Sequence, residues 1–235
     1  MKASLPELGM TARGPRLVLL GKQGAGKGTQ AVRIAEHYSV HHLATGDLFR
    51  EAASAGTDLG LEAKGYMDRG FLVPDDIVVG VVEEQLHTDD RAAHGFVLDG
   101  FPRTRPQAEE LDRILDDHPL DLAIDFDVPT EVVLRRIAGR RVCSNCGALY
   151  HVDSPPEQDW TCDICGGSVV QRDDDTEESV MRRLELYEMK TLPVIQFYRR
   201  SGILAHVDAS DDSDEVFKRL VELVDSYFDP PARTL

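Results

Sequence analysis

The run GKQGAGKGTQ at residues 21–30 has the residue types and spacing of a phosphate-binding loop. Its glycines allow successive backbone N–H groups to point into one concavity, at the positive end of the following helix. Lys27 adds a full positive charge, and the apolar run 16–20 and the amphipathic run 31–38 supply the strand and helix that such a loop requires. The residues predicted to hold nucleotide phosphates are Gly24, Ala25, Gly26, Lys27, Gly28 and Thr29.

Asp99 ends another apolar run, and Arg103 follows it four residues later. A carboxylate at the end of a buried strand beside a phosphate loop is well placed to orient the water shell of Mg²⁺. An arginine can bind a phosphate through two parallel hydrogen bonds. Because Gly28 follows Lys27, the first hydroxyl comes one position late, at Thr29. We therefore expect Mg²⁺ to be held mainly by nucleotide and water, with Asp99 acting through that water.

The four cysteines follow the pattern C-x2-C-x15-C-x2-C. Each pair, with the glycine after it, favours a tight turn in which both sulfurs face one point, and two such turns complete a tetrahedron. A redox pair would explain one half of the pattern but not two halves in tandem, and disulfides are disfavoured inside the cell. Four thiolates leave no open position, so the pattern predicts a structural Zn²⁺ bound by Cys143, Cys146, Cys162 and Cys165.

Short apolar runs predict the strands that position these residues. They lie at 16–20, 40–44, 95–100, 122–127 and 203–208, and helical patterns separate them. This alternation predicts an α/β fold with a parallel sheet covered by helices on both faces, whose ligands bind beyond the carboxyl ends of the strands. Locally, we expect Thr45 to cap a helix, Pro193 to kink or interrupt a helix over 177–198, and residues 1–15 to be loose.

The composition limits the classes of partner. With 42 acidic and 26 basic residues the 235-residue chain has a formal charge of −16, which disfavours nucleic-acid binding. No run approaches the ~20 apolar residues of a membrane span, and no apolar signal core is present at the N-terminus, so we expect a cytoplasmic protein. Aspartate outnumbers glutamate and lysine is scarce, which favours a salt-loving source; an acidic protein of ordinary habitat is the alternative.

Four motifs together closely resemble adenylate kinase. They are GAGKGT at 24–29, TGDLFR at 45–50, LDGFPRT at 98–104 and RIAGRR at 136–141. The similarity runs from about residue 16 to 227 and matches the long, lid-bearing form. It implies a P-loop kinase fold with a five-stranded parallel sheet. The implied divisions are a core of 16–44, 74–138 and 176–228, an AMP-binding helical insertion of 45–73, a zinc-binding lid of 139–175, and loose termini of 1–15 and 229–235.

The resemblance also implies an activity: reversible transfer of the γ-phosphoryl group of MgATP to AMP, giving two ADP, by a monomer that maintains and synthesises nucleotides. The implied AMP-site residues are Thr45, Arg50, Phe71, Leu72, Val73, Gly100, Phe101, Pro102, Arg103, Gln107, Arg172 and Arg183. ATP would be bound by the phosphate loop with Arg136, Arg140, Leu149, Tyr150 and Asp211. The implied catalytic residues are Lys27, Arg103, Arg140, Arg172 and Arg183, and those implied in lid closure are Asp174 and Asp175.

The residues alone make this chemistry reasonable. Phosphoryl transfer passes through a loose, charge-rich transition state that requires positioning and positive charge, and an ionised AMP phosphate needs no general base. Three alternatives stay open at this point. The first is a kinase acting on UMP, CMP or GMP, although Thr45 and Gln107 favour AMP. The others are a nucleic-acid-binding zinc ribbon with an ATPase core, disfavoured by the acidic charge, and an inactive nucleotide sensor, disfavoured by the retained Lys27 and arginines.

Overall fold

The computed structural model describes residues 13–116 and 118–228. Its strands in chain order are β1 (Arg16–Gly21), β2 (His41–Ala44), β3 (Phe96–Asp99), β4 (Leu122–Asp127), β5 (Arg140–Cys143), β6 (Leu149–His151), β7 (Val169–Val170) and β8 (Leu204–Asp208). Five of them form a parallel sheet in the order β2-β3-β1-β4-β8, and the other three form an antiparallel sheet in the order β6-β5-β7. The predicted α/β fold with five parallel strands is confirmed.

Ten α-helices connect and flank the strands within the described residues. They are α1 (Lys27–Tyr38), α2 (Thr45–Ser54), α3 (Asp58–Asp68), α4 (Asp75–Thr88), α5 (Asp90–His94), α6 (Arg105–Leu115), α7 (Thr130–Gly139), α8 (Glu177–Leu186), α9 (Leu192–Ser201) and α10 (Ser213–Phe228). Short α5 was not expected from the sequence. Among residues 13–116 and 118–228, no helix combines the length and the apolar character needed to cross a membrane.

The core has two halves, one on each face of the main sheet. Alternate residues of β1 face opposite sides, as the pleat of a strand requires. Leu17 and Leu19 pack with α1, α7 and α10, whereas Val18 and Leu20 pack with α2, α4, α6 and α9. The side chains of Leu17 to Leu20 are all buried, which explains why the middle of β1 is continuously apolar and does not alternate with polar residues.

The prediction that Thr45 caps a helix is wrong, whereas the predicted interruption of the helix over 177–198 is confirmed. Helix α2 begins at Thr45 itself, its cap position is Ala44, and the buried Thr45 hydroxyl lies 3.5 Å from the Asp99 carbonyl oxygen, to which it donates. The helix expected over 177–198 is divided into α8 and α9 by a π-helical turn, Tyr187–Thr191. This turn brings Pro193 into the first turn of α9, where its missing N–H leaves no helical hydrogen bond unmade.

The first described residues are held against the sheet. The guanidinium of Arg13 donates two hydrogen bonds of 2.8 Å to the Asp121 carboxylate, and the Phe96 N–H donates to the Pro15 carbonyl. The prediction that residues 1–15 are loose is therefore wrong for 13–15. Residues 1–12 and 229–235 lie outside the described residues, so the prediction of loose ends there stays a prediction.

The small antiparallel sheet, β5 to β7, lies in the chain between α7 and α8. Its buried side chains form a cluster of only three residues, Cys143, Cys162 and Val169, with Ala148 and Tyr150 packed against it. So little apolar surface cannot by itself hold thirty residues in place, because ordering each residue costs about 1–2 kcal/mol of conformational entropy. The segment needs a further source of stability.

Candidate functional site

The phosphate loop joins β1 to α1 at the carboxyl edge of the main sheet. Gly24 and Gly26 have φ values of 78° and 97°, in the left-handed region that favours glycine. A Cβ atom at Gly24 would lie 2.7 Å from the Ile137 Cγ1 atom, so this glycine also permits the close approach of α7. The loop that the sequence predicted thus has the backbone conformation that phosphate binding requires.

Lys27 folds over this loop. Its Nζ atom donates hydrogen bonds of 2.8 Å to the carbonyls of Gly21 and Lys22. Loss of hydration lowers the pKa of the Lys27 amine to about 8, although the negative charge of Asp99 acts in the opposite direction. The Asp99 carboxylate lies beside the first turn of α1: a Cβ atom at Gly28 would be 3.2 Å from Asp99 Oδ2. The structure therefore brings Asp99 to the phosphate loop.

Arg140, at the start of β5, is paired with Asp175. Its Nε atom donates to Asp175 Oδ2 at 2.8 Å, and its Nη2 atom bonds to Oδ1. The Asp175 side chain is 0% exposed, and Gln23 of the phosphate loop also donates to its Oδ1 atom, at 3.3 Å. The two ends of the cysteine-bearing segment thus meet each other and the loop.

Arg183, on α8, is paired with the neighbouring carboxylate. Its Nη2 atom donates to Asp174 Oδ2 at 2.5 Å and to the Met67 carbonyl, at the end of α3, at 2.7 Å. Burial alone would raise the pKa of Asp174, but the charges of Arg183, Arg50 and Arg172 outweigh it, so this pKa is lowered. Asp174 is therefore ionised among arginines.

The adjacent Arg182 reaches the same end of α3. Its Nη1 atom donates to the Arg69 carbonyl at 2.7 Å, and its guanidinium lies 4.7 Å from the centre of the Phe71 ring. This stacking covers one face of a half-exposed aromatic ring. Two consecutive arginines of α8 thus contact the segment that leads into the predicted AMP site.

Among residues 13–116 and 118–228, no carboxylate forms an ion pair with Arg172, which lies among these charges. Its Nε atom is buried and has no hydrogen-bond acceptor among the residues that the structure describes. Burial, followed by the positive charges of Arg50 and Arg140, lowers the pKa of Arg172 to about 10. Arg50 itself is paired with Asp47, three residues earlier in α2. Guanidinium groups held together in this way form a site for a highly charged anion.

A cavity of about 320 Å³ adjoins the Phe71 ring over which Arg182 is stacked. Its walls are formed by Tyr66, Phe71, Leu72, Val73, Pro74, Asp75, Thr104, Leu186 and Lys190. The predicted AMP residues Phe71, Leu72 and Val73 are thus together in one apolar wall. At the neighbouring end of β3, Gly100 has a φ of 83°, and a Cβ atom there would lie 2.9 Å from Thr45 Oγ1. The buried side chains of Phe101 and Pro102 follow it.

Gln107 lies behind this cavity, on α6, and is only 2% exposed. Its Oε1 atom accepts a hydrogen bond of 2.7 Å from the Arg103 N–H, while Arg103 Nε donates to the Gly100 carbonyl at 2.8 Å. The Gln107 Nε2 atom donates to Asp75 Oδ1 at 2.7 Å. Both ends of the predicted base-reading amide are therefore already hydrogen-bonded within the protein.

The four cysteine sulfurs all lie within 4.8 Å of one another. The distance from Cys143 Sγ to Cys165 Sγ is 3.5 Å, and that from Cys146 Sγ to Cys162 Sγ is 3.6 Å. A tetrahedral site with Zn–S bonds of about 2.3 Å requires sulfurs about 3.8 Å apart. A disulfide would require about 2.05 Å. The donor set and its spacing fit Zn²⁺ and not disulfides.

The family model for adenylate kinase matches residues 19–203. This chain belongs to the adenylate kinase family. Among its relatives is an adenylate kinase of Thermodesulfovibrio yellowstonii, 49% identical over 213 residues, which cover 89% of this chain and 99% of that protein. An adenylate kinase of Clostridium perfringens is 48% identical over 90% of this chain and 99% of its own length, and one of Archaeoglobus fulgidus is 49% identical over 89% and 97%.

Adenylate kinases are nucleoside monophosphate kinases. Several of the residues predicted to bind ATP in this member lie around the phosphate loop and the loop after β8. Arg136 donates to four carbonyl oxygens: 3.4 Å to Ala25, 2.9 Å to Ala209, 3.0 Å to Ser210 and 3.1 Å to Asp211. Burial lowers the pKa of Arg136. The guanidinium therefore joins the phosphate loop to the loop after β8.

Of the other residues predicted on the ATP side, Leu149 and Asp211 are exposed and Tyr150 is partly buried. The Asp211 carboxylate is paired with Arg219, and Leu149 is 43% exposed. The Tyr150 hydroxyl is turned toward the cysteines: it donates to Cys162 Sγ at 3.4 Å and accepts from the Asp163 N–H at 2.9 Å. The hydrogen bond between Tyr150 and Asp163 could not be predicted, because the spacing of the cysteines does not show which residues lie next to them.

Asp75 is the residue that sequence reasoning missed in this adenylate kinase site. By itself the sequence Val73-Pro74-Asp75 predicts only the start of a helix, with proline in its first turn, and Asp75 is the first residue of α4. Its carboxylate also receives hydrogen bonds from Gln107 and from Thr104 Oγ1, the latter at 2.9 Å. The position of Asp75 directly after Val73 and Pro74, which line the cavity, was the signal that could have indicated its role.

Proposed function

We propose that this chain catalyses reversible transfer of the γ-phosphoryl group of MgATP to AMP, giving two ADP. The observation that carries the proposal is the group of guanidiniums beside the phosphate loop, in which Arg172 is partly buried and its buried Nε atom has no hydrogen-bond partner among the described residues. A protein of net charge −16 has no structural need to gather positive charge there. A loose phosphoryl-transfer transition state does need it.

In this proposal the phosphate loop and Lys27 hold the phosphates of ATP, and Arg103, Arg140, Arg172 and Arg183 surround the phosphoryl group in transit. Mg²⁺ bound to the nucleotide supplies charge neutralisation between the β- and γ-phosphates, and Asp99 orients its water. Arg140 and Arg183 exchange their carboxylate partners for phosphate oxygens. The attacking AMP oxygen is ionised at neutral pH and needs no general base.

The acceptor nucleotide fills the cavity of about 320 Å³. Its phosphate binds Arg50 and Arg103, and its base lies between the apolar wall and Gln107. The remaining residues of this site are Thr45, Phe71, Leu72, Val73, Gly100, Phe101, Pro102, Arg172 and Arg183. Apolar walls with a few fixed polar groups are typical of sites that bind a ligand such as a purine nucleotide.

The base of ATP is proposed to lie over Arg136 and the loop ending at Asp211, covered by Leu149 and Tyr150. The four carbonyls that Arg136 holds give this loop a fixed shape. The chain has Ala209 where the family often has glycine, so the backbone contact proposed near Asp211 departs here from the family's pattern. Weakened ATP binding after Arg136→Ala is the expected result.

Lid closure over residues 139–175 completes the proposed cycle, with 45–73 as the AMP insertion and 16–44, 74–138 and 176–228 as the core. Asp175 holds Arg140 of the closing segment and Asp174 holds Arg183 of the core until phosphate oxygens replace the two carboxylates. Closure excludes water, which would otherwise accept the phosphoryl group. Hydrogen exchange with and without a bisubstrate analogue tests this: unequal protection of 139–175 is expected, and equal protection would defeat it.

Zinc is proposed to be bound by Cys143, Cys146, Cys162 and Cys165 as a structural ion. Four thiolates occupy every position of the tetrahedron, so the ion contributes folding energy to the lid and takes no part in phosphoryl transfer. The support is the spacing of the sulfurs, given above. Metal analysis of the purified protein, with one Zn²⁺ per chain as the expected result, tests it.

The deciding experiment is an assay of ADP formation from MgATP with AMP, UMP, CMP or GMP, at low and at high salt. Rapid turnover with AMP alone is expected. Turnover with another monophosphate would retain the mechanism and overturn the acceptor. No turnover with any acceptor, using folded and zinc-loaded protein at both salt levels, would defeat the proposed function.

We also propose an oligomeric state, a cellular location and a salt preference for this enzyme. One chain carries every proposed site residue, so the enzyme acts as a monomer, which sedimentation can test. ATP, AMP and ADP are its partners in the cytoplasm, and the charge of −16 disfavours nucleic acid. The same charge suits a salt-loving source, because self-repulsion is screened where the Debye length falls to ~3 Å, at 1 M salt. Higher activity at molar salt than at 0.1 M would support this, and loss of activity there would contradict it.

A further inference from the structure

Asp75 connects two helices at the wall of the acceptor cavity. Its Oδ1 atom accepts from Gln107 Nε2 at 2.7 Å, and its Oδ2 atom accepts from the Thr104 hydroxyl at 2.9 Å. Thr104 is the cap residue of α6, and its hydroxyl oxygen accepts from the Gln107 N–H at 3.3 Å. The first residue of α4 is thereby joined to the start of α6 by two hydrogen bonds, and the third, within α6, holds Thr104 and Gln107 together.

These contacts fix the orientation of the Gln107 amide. Its oxygen accepts from the Arg103 N–H at 2.7 Å, while its nitrogen faces the Asp75 carboxylate. Turning the amide by 180° would set its oxygen against a carboxylate oxygen and its NH₂ against a backbone N–H. Because Gln107 is 2% exposed, water could not relieve either mismatch. Asp75 and the Arg103 backbone therefore act together as a lock on this side chain.

We propose that Asp75 is a positioning residue that determines which purine the acceptor site takes, because it holds the Gln107 amide in one orientation. This inference rests on the proposed function. Adenine presents an amino donor beside a ring-nitrogen acceptor. Hypoxanthine has the same outline but presents a carbonyl acceptor beside a ring N–H donor. A fixed amide complements only one of these edges, whereas an amide free to turn serves both, so the lock selects AMP over IMP.

The test compares kcat/KM for AMP and for IMP in the full-length enzyme and three variants. Asp75→Leu keeps the side-chain volume but removes both acceptors, and Asp75→Asn keeps an oxygen for Gln107 without the charge. Asp76→Asn is the matched control, since Asp76 is the next residue of the same helical turn, carries the same charge and is exposed.

We expect Asp75→Leu to lower the AMP:IMP preference by about tenfold or more, chiefly through a higher KM for AMP, because base binding is shared by ground and transition states. Asp75→Asn should lower it by roughly threefold to fivefold, and Asp76→Asn should change it by less than about twofold. A preference that stays within twofold of wild type in both Asp75 variants would overturn the inference. If Asp75→Leu does not fold, as thermal unfolding would reveal, Asp75→Asn alone decides. A wild-type enzyme inactive with AMP would instead defeat the proposed function.

Discussion

Replacing Cys146 with serine should separate the stability of the lid from that of the core. Cys146 is exposed, so the substitution removes a metal ligand while leaving the packing of the buried Cys143 and Cys162 intact. Without the metal, the lid retains only a three-residue buried cluster. We therefore expect the lid to lose its order and the main sheet to keep its own.

The size of the effect follows from the donor set. Structural zinc sites bind with about 10–16 kcal/mol, so one of four equivalent thiolates contributes about 2.5–4 kcal/mol. A tenfold change in affinity corresponds to about 1.4 kcal/mol, and the variant should accordingly bind Zn²⁺ roughly a hundredfold to a thousandfold more weakly. Thiolate ligation also binds zinc in competition with protons, so the comparison must be made at one pH.

The assay is competition for Zn²⁺ against a chromogenic chelator, followed by hydrogen exchange of the metal-stripped protein. Ile164→Ser is the matched control, because Ile164 lies between two ligands and is 77% exposed but donates nothing to the metal. Amides of β5, β6 and β7 should lose protection on stripping, while those of β1 should not. Equal Zn²⁺ affinity in Cys146→Ser and wild type, or an unchanged exchange pattern in the stripped lid, would refute the reasoning.

Three further outcomes follow from the charged groups. ATP affinity should fall by up to about tenfold per pH unit above the pKa of Lys27, about 8, because phosphate binding requires the protonated amine; isothermal titration across that pH measures it. Arg172→Ala should lower kcat by about a thousandfold, the usual contribution of a phosphoryl-stabilising arginine, as steady-state kinetics would show. Asp174→Asn should lower the free energy of unfolding at neutral pH by about 3 kcal/mol, because it leaves the buried Arg183 charge uncompensated; denaturant titration measures this loss.

Each of these three predictions would be contradicted by a different result. Lys27→Arg keeps its charge throughout and should show a flatter pH dependence; equal slopes would exclude the lysine as the cause. A rate for Arg172→Ala within tenfold of wild type would remove it from the transition state. The lowered pKa of Asp174 stabilises the fold above the unfolded pKa of this group and loses that effect as pH falls through the folded value. Wild type should thus lose more stability in acid than Asp174→Asn, and parallel acid profiles would contradict the pairing.

The apolar pattern of the sequence predicted the strands of the main sheet well, because the pattern of each strand lies within one short segment. The strand 122–127 was predicted to the residue, and β1 was found one residue longer than expected, since a buried parallel strand has a distinctive apolar run. The cysteine pattern and the phosphate loop likewise depend on spacing within one short segment. The π-helical turn before Pro193 could not be predicted in this way, because a helix can absorb the proline by several local adjustments.

Contacts between distant residues were beyond the reach of the sequence. Arg13 meets Asp121 across 108 positions, and nothing in the loose-looking run around Arg13 indicates that pairing. The hydrogen bond from Gln107 to Asp75 spans 32 positions and depends on how α4 meets α6. A resemblance can name Gln107, but only coordinates show which neighbour sets its orientation.

The two consecutive arginines of α8 contact both segments that we propose to be the AMP insertion and the lid. Arg183 shares one nitrogen atom between Asp174, at the exit of the lid, and the Met67 carbonyl, at the end of α3. A phosphate that takes this nitrogen atom would therefore compete with a contact to each segment at once. The two nucleotides would then alter each other's affinity, and thermodynamic reciprocity requires the factor to be the same in both directions.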